Sequence, residues 1–214
     1  MTETLRSHVV LIFDLLQDVN ILWPLAELVA DETPYKLGFL VSEKFAERDV
    51  DGRWIEELKQ LAASTCAEII GFESELEAFG ALNGKKGIIF AGSESSLPAH
   101  ETSHNVFRMG PQGFVKATLQ HGYECVGFLH NREQTIVHGD RVRFAADILC
   151  SWVEPEKLLH LHPAERDKIV VTGPSLLLRR APAHPVQPSP RNAGLVCENL
   201  HSVRMNAAGD FKHD

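Results

Sequence analysis

At 214 residues, with 44% hydrophobic and 23% charged side chains, the chain has the composition of a globular protein that fills one good-sized α/β domain with residues to spare. A formal net charge of -8 excludes the broad basic footprint of a nucleic-acid binder, and no nucleic-acid partner is expected. No apolar run approaches the roughly 18 residues a membrane span needs, and the one after Ser7 breaks at Asp14 without a signal-peptide pattern. Cys66, Cys125, Cys150 and Cys197 are scattered without CxxC spacing in or near apolar segments, so buried free thiols in a cytoplasmic protein are expected.

Taken in chain order, His8 to Phe13 is a continuous apolar run suited to a strand buried on both faces. Leu15 to Ala30 has helical spacing, with Pro24 tolerable near its first turns. Tyr35 to Val41 reads as a second strand. Trp54, Ile55, Leu58 and Leu61 mark an amphipathic helix. Ala67 to Phe72 is a third strand, and Glu73 to Leu82 a short helix, acidic at its start and closed by Asn83-Gly84. Gly87 to Ala91 is the fourth strand, running into Gly92-Ser93-Glu94-Ser95-Ser96. A short helix around His100 to Met109 follows. Gly113 to Gly122 then reads as a buried central strand ending in Gln120-His121-Gly122.

Later segments are less regular. Tyr123 to Asp140 reads as a long loop carrying His130, Asn131 and His138. Phe144 to Cys150 reads as a strand with a short helical approach, Pro155 to Leu161 as a helix and Lys168 to Val171 as a last short strand. Four prolines between Arg180 and Arg191 give a linker composition, so residues 180–193 are expected to join a domain over residues 1–179 to the start of a second over residues 194–214, opening with the strand-like Gly194 to Asn199.

Strands alternating with amphipathic helices imply an α/β domain with a doubly wound, mostly parallel, Rossmann-like sheet and helices on both faces. In such sheets ligands bind outside the carboxyl ends of the strands. Asp14, Ser42, Gly92 and His121 are therefore expected to frame one crevice. There His121 is the candidate base or hydrogen-bonding group, because an imidazole titrates near neutrality. Asp14, Gly92, Ser93, Gln120 and Gly122 are the candidate substrate contacts, the Gly92 loop offering backbone N–H groups and hydroxyls. No GxGxxG follows the first strand, and GxxxxGK[ST] and GxSxG are absent, so no bound nucleotide cofactor and no serine elbow are expected.

His100-Glu101-Thr102-Ser103-His104 matches the HExxH zinc pattern, with Glu124 a third ligand by position alone. The pentad lies in a polar segment between Pro98 and Gly110-Pro111 rather than in a long apolar-faced helix. A polar helix at the crevice rim, without metal, is the expected reading, and a zinc hydrolase the alternative.

TLQHGY, FAADILCSW and AERDKIVVTGPSLL, followed by a Pro-rich linker and GLVCEN, together resemble the N-terminal half of GT-B-fold glycosyltransferases, especially bacterial enzymes of surface polysaccharide synthesis. The resemblance covers about residues 8 to 205 as order and local pattern. It implies an acceptor-side domain whose His121-Gly122 pair faces the interdomain cleft, a nucleotide-sugar donor and a glycan acceptor as partners, and a donor-side domain of which some twenty residues are present. It implies sugar transfer, incomplete in this chain alone, and leaves room for peripheral membrane association. A non-catalytic α/β module that holds a sugar or phosphate in the same crevice is the alternative from a binding class.

Overall fold

In the computed structural model of the protein, the described residues are 7–122, 125, 127–128, 137–138 and 141–179, with the backbone of two short strands at 203–205 and 211–213. The chain divides into two units, Met1–Arg179 and Arg180–Asp214.

The first unit is built on a seven-stranded sheet. Its strands are β1 (His8–Phe13), β2 (Lys36–Ser42), β3 (Glu68–Phe72), β4 (Gly87–Ala91), β5 (Phe114–Leu119), β6 (Ile148–Ser151) and β7 (Ile169–Val171). They lie in the order β3-β2-β1-β4-β5-β6-β7, and every neighbouring pair is parallel. The chain starts in the middle, winds outward through β2 and β3, then returns past β1 to β4 and winds the other way. The reversal lies between β1 and β4, and that is where such folds open a crevice. The fold is thus α/β, with a wholly parallel Rossmann-like sheet flanked by helices.

The strands read as unbroken apolar runs because both faces are covered. From β1, Val10 and Ile12 enter one core with Leu40, Ile89 and Phe107, while Val9, Leu11 and Phe13 enter the other with Phe39 and Phe45. Phe13 packs edge-on to Phe39 and Phe45 at centroid distances of 5.1 and 6.5 Å. The second core lies under α1 (Asp18–Glu32), α2 (Glu43–Arg48) and α3 (Arg53–Thr65). The first lies under α4 (Glu75–Leu82), α5 (Glu101–Met109) and the irregular 141–146 segment, which contributes Val142, Phe144 and Ala146. On the α1 side, β4 to β7 are left with a cavity of about 360 Å³ walled by Ile88, Phe90, Leu119 and Val170 beside a single 3-10 turn, Ser175–Leu178.

Several local expectations are corrected. Gly113 to Gly122 holds an interior strand, β5, but β4 is the middle one. Residues 141–146 approach β6 without regular structure and not as a helix, because their backbone is spent on other segments: Arg143 N bonds Ser96 Oγ, and Ala145 N and Ala146 N bond Glu94. The helix expected from Pro155 to Leu161 is one 3-10 turn, Pro155–Lys157, followed by turns that drop Leu158 and Leu161 into the core. α2 was not foreseen. Ser42 starts it, its Oγ accepting the Phe45 N–H at 3.1 Å. Cys125 and Cys150 are buried thiols as expected, whereas Cys66 is exposed, being the left-handed residue that ends α3. The second unit's described strands, Val203–Met205 and Phe211–His213, pair antiparallel. Glu124, His130, Asn131, the 180–193 linker and the Gly194 to Asn199 strand lie outside the described residues.

Candidate functional site

The carboxyl ends of β1, β4 and β5 bring three loops together at the switch point. From β1 the chain runs directly into α1, and Asp18, the first residue of that helix, folds its carboxylate back. Its Oδ2 accepts the N–H of Asp14 at 3.0 Å and of Leu15 at 2.8 Å. Those are the amides that would cradle a phosphate in a dinucleotide-binding fold, so Asp18 occupies that place itself. Gly92, across from it, leaves the room: a Cβ there would sit 2.7 Å from Asp18 Oδ1 and 3.3 Å from Ile21 Cγ2. Burial pushes the Asp18 carboxyl up to about 7 against the pull of the two amides, with the Asp14 charge adding a smaller push in the same direction.

Two residues expected at the ligand are committed to the scaffold. Asp14 is 1% exposed; its Oδ1 accepts from Ser42 Oγ at 2.6 Å and its Oδ2 lies 3.4 Å from Arg48 Nη1. It ties β1 to β2 and α2. Gln120, 2% exposed, uses both ends of its amide. Oε1 accepts from Trp152 N at 2.9 Å and Ser151 Oγ at 3.3 Å, and Nε2 donates to Gly122 O at 3.0 Å, clamping β5 to β6. Both side chains turn inward for one reason: a polar side chain ending a buried strand finds loop N–H and hydroxyl groups closer than solvent.

His121, at the end of β5, is only partly buried. Its Nδ1 lies 3.1 Å from Gly92 O and 3.5 Å from Ser93 Oγ, and the carbonyl can only accept. Nδ1 therefore carries the proton, and Nε2 presents a lone pair. Gly92 and Ser93, expected as direct contacts, hold the ring. Ser93 is itself 2% exposed and accepts from Gln17 Nε2 at 3.3 Å. Burial lowers the His121 pKa, opposed by the carbonyls of Gly92 and Leu119, so the ring is neutral at pH 7. The Cys125 thiol packs against it, 3.8 Å from Nδ1 and 4.0 Å from Nε2, and burial pushes that thiol up to about 12, which keeps it a neutral S–H whose weak donor can reach only Nε2. Gly122 stands on the open side, where a Cβ would meet nothing within 4 Å.

The HExxH pentad is split. His100 precedes α5 as its N-cap, with φ -109° and ψ 8°, so the two histidines are not one turn apart on a single helix. His104 Nδ1 makes a short contact with Glu94 Oε1, and Glu94, wholly buried, also accepts from Ala145 N and Ala146 N. His100 turns the other way. Its Nδ1 lies 2.7 Å from Ser95 Oγ, and its ring meets His121 edge to face at a centroid distance of 5.9 Å. Among the described residues no three metal-ligating side chains converge.

Sequence reasoning missed Glu94 as a buried strut, because a lone glutamate in a Ser-rich loop reads as solvated. It also missed His100 as a neighbour of His121. The short step from Ser95 to His100, broken by Pro98, was the one signal for it. Compared with known proteins, the chain matches no family model, no curated protein and no solved structure. Among the described residues no helix is long and apolar enough to cross a membrane.

Proposed function

We propose that residues 1–179 are the acceptor-side domain of a cytoplasmic glycosyltransferase, in which His121 takes the proton from an acceptor hydroxyl as a sugar is transferred from a nucleotide-activated donor. The observation that carries this is His121 itself. It is neutral, its Nδ1–H is spent on Gly92 O, and its Nε2, 4.0 Å from the Cys125 thiol, keeps a lone pair on a partly buried ring at the sheet's switch point, next in sequence to Gly122. A general base needs that tautomer and a pKa not far below the working pH. The sequence resemblance supplies the reaction class.

The place of Asp18 agrees with an acceptor role. With the Asp18 carboxyl on the β1–α1 amides, this crevice offers a phosphate no free cradle there, whereas an acceptor hydroxyl needs none. The donor's diphosphate would then be held by a second α/β unit, which residues 1–179 do not contain. Acceptors on a membrane-bound polymer would bring the domain to a membrane surface without a span.

The test is transfer from nucleotide sugars to glycan acceptors by the complete enzyme. His121→Ala should lower the rate about a hundredfold or more, the scale on which general bases act. Its thermal midpoint should fall by only a few degrees, the scale of losing the one hydrogen bond to Gly92 O. Transfer that survives within a few fold would overturn the assignment. Glycan binding by wild-type protein without any transfer would favour the non-catalytic module.

A further inference from the structure

The second imidazole of the crevice can be assigned its proton. Ser95 is 1% exposed, and its Oγ accepts the Leu97 N–H at 3.3 Å. A buried hydroxyl must also place its own hydrogen, and His100 Nδ1, at 2.7 Å, is the one acceptor in hydrogen-bond contact with it among the described residues. Nδ1 of His100 is then the acceptor, and the ring proton lies on Nε2. In His121 the reverse holds, because a backbone carbonyl faces Nδ1. The two rings, in edge-to-face contact, are thus fixed as opposite tautomers by two different protein groups. His100 Nε2 has no hydrogen-bond partner among the described residues, and both rings are only partly buried. Burial, with the neighbouring His121 and His104, lowers His100 to about 4, so it is a neutral donor at working pH.

We propose that His100 is a second ligand-contacting residue and that the pair recognises two hydroxyl groups of one neutral polyol. His100 Nε2–H donates to one hydroxyl oxygen while His121 Nε2 accepts the proton of the other. The chemical step rests on the transferase reading. In it the second hydroxyl oxygen forms its bond to the donor's anomeric carbon, the nucleoside diphosphate departs with the electron pair of the broken bond, and the hydroxyl's proton stays on His121 until solvent removes it. Neither imidazole is redundant. One takes a proton and the other orients the oxygen that keeps its own.

The first experiment needs no activity. Long-range ¹H–¹⁵N spectra of the histidine rings in the 214-residue chain should show His121 protonated at Nδ1 and His100 at Nε2. In Ser95→Ala, His100 should become a mixture of tautomers while His121 stays as it was. The same tautomer in both wild-type rings, or a His100 signal unmoved in Ser95→Ala, would overturn the assignment. The second uses the complete enzyme. His100→Ala should raise KM for the acceptor about tenfold, the worth of one neutral hydrogen bond. His100→Gln, whose amide N–H takes the place of Nε2–H, should recover most of that loss, whereas His121→Gln should recover nothing because it restores no base. Equal defects in His100→Ala and His100→Gln, with both folded, would make His100 a structural residue and sink the proposal. If the wild-type enzyme transfers no sugar at all, the transferase reading fails. Methyl α-glucoside titrated into the chain then tests the pair alone: shifts at both Nε2 nuclei support it, and shifts at one or neither overturn it.

Discussion

At the scale of single residues, burial pulls titratable groups in opposed directions, two of the histidines lying in the crevice and His8 at the other end of β1. His8, His100 and His121 are depressed from 6.5, so between their folded values and 6.5 the unfolded chain holds more protons and stability falls as pH falls. Asp18 runs against them. Its carboxyl is raised from 3.8 to about 7, so its contribution is complete below the unfolded value and lost as pH rises through the folded one. Asp18→Asn keeps an oxygen for the Asp14 and Leu15 amides and removes the titration. Urea unfolding of that variant should therefore lose stability more steeply between about pH 6.5 and 4 than the wild type does, by up to about 1.4 kcal/mol per pH unit, the limit for one proton. Parallel profiles would show that Asp18 does not titrate abnormally. If His121 is the base of the proposed transfer, its depressed pKa places the acid limb of the rate profile below pH 6.5, and a limb above that value would contradict a buried base.

At the scale of elements, what was legible in the sequence followed the hydrophobic pattern. β1, β2, β3, β4 and α4 stand within a residue or two of their expected limits because each is a breaker-bounded run with one period, buried on a known side. Position in chain order also placed Gly92 and His121 at one edge. Orientation was not legible. Whether Asp14 or Gln120 faces a ligand or the scaffold depends on Ser42 and Ser151, which lie 28 and 31 residues away and which no local pattern connects to them. The irregular path of residues 141–146 was hidden for the same reason, since Glu94 holds it from the end of another strand. Gly92 shows how tightly these loops depend on each other. Gly92→Ala should destabilise the protein by about 1–3 kcal/mol through the clash with Asp18 and Ile21. Pairing it with Asp18→Ala should recover part of that loss, and additive effects in denaturant titrations would rule out the contact as the cause.

At the scale of the whole molecule, the first unit has two cores of its own and closes at Arg179. A protein ending there should unfold in one transition, with a thermal midpoint within a few degrees of the full chain's. A second transition, or a fall of about ten degrees or more, would show that residues 180–214 contribute to its stability. The sheet has a further consequence, for time rather than for energy. All six of its strand pairings are parallel, and none is closed by a hairpin. The chain must bring β4 alongside β1 across the whole of β2 and β3, and only afterwards can β5, β6 and β7 be added. Every such closure spends loop entropy before any strand contact repays it, so refolding should be slow for a protein of this size and should proceed from the middle strands outward. The Asp18–Gly92 contact joins the first pair of strands across that reversal, and the crevice is therefore among the earliest parts of the molecule to acquire its shape.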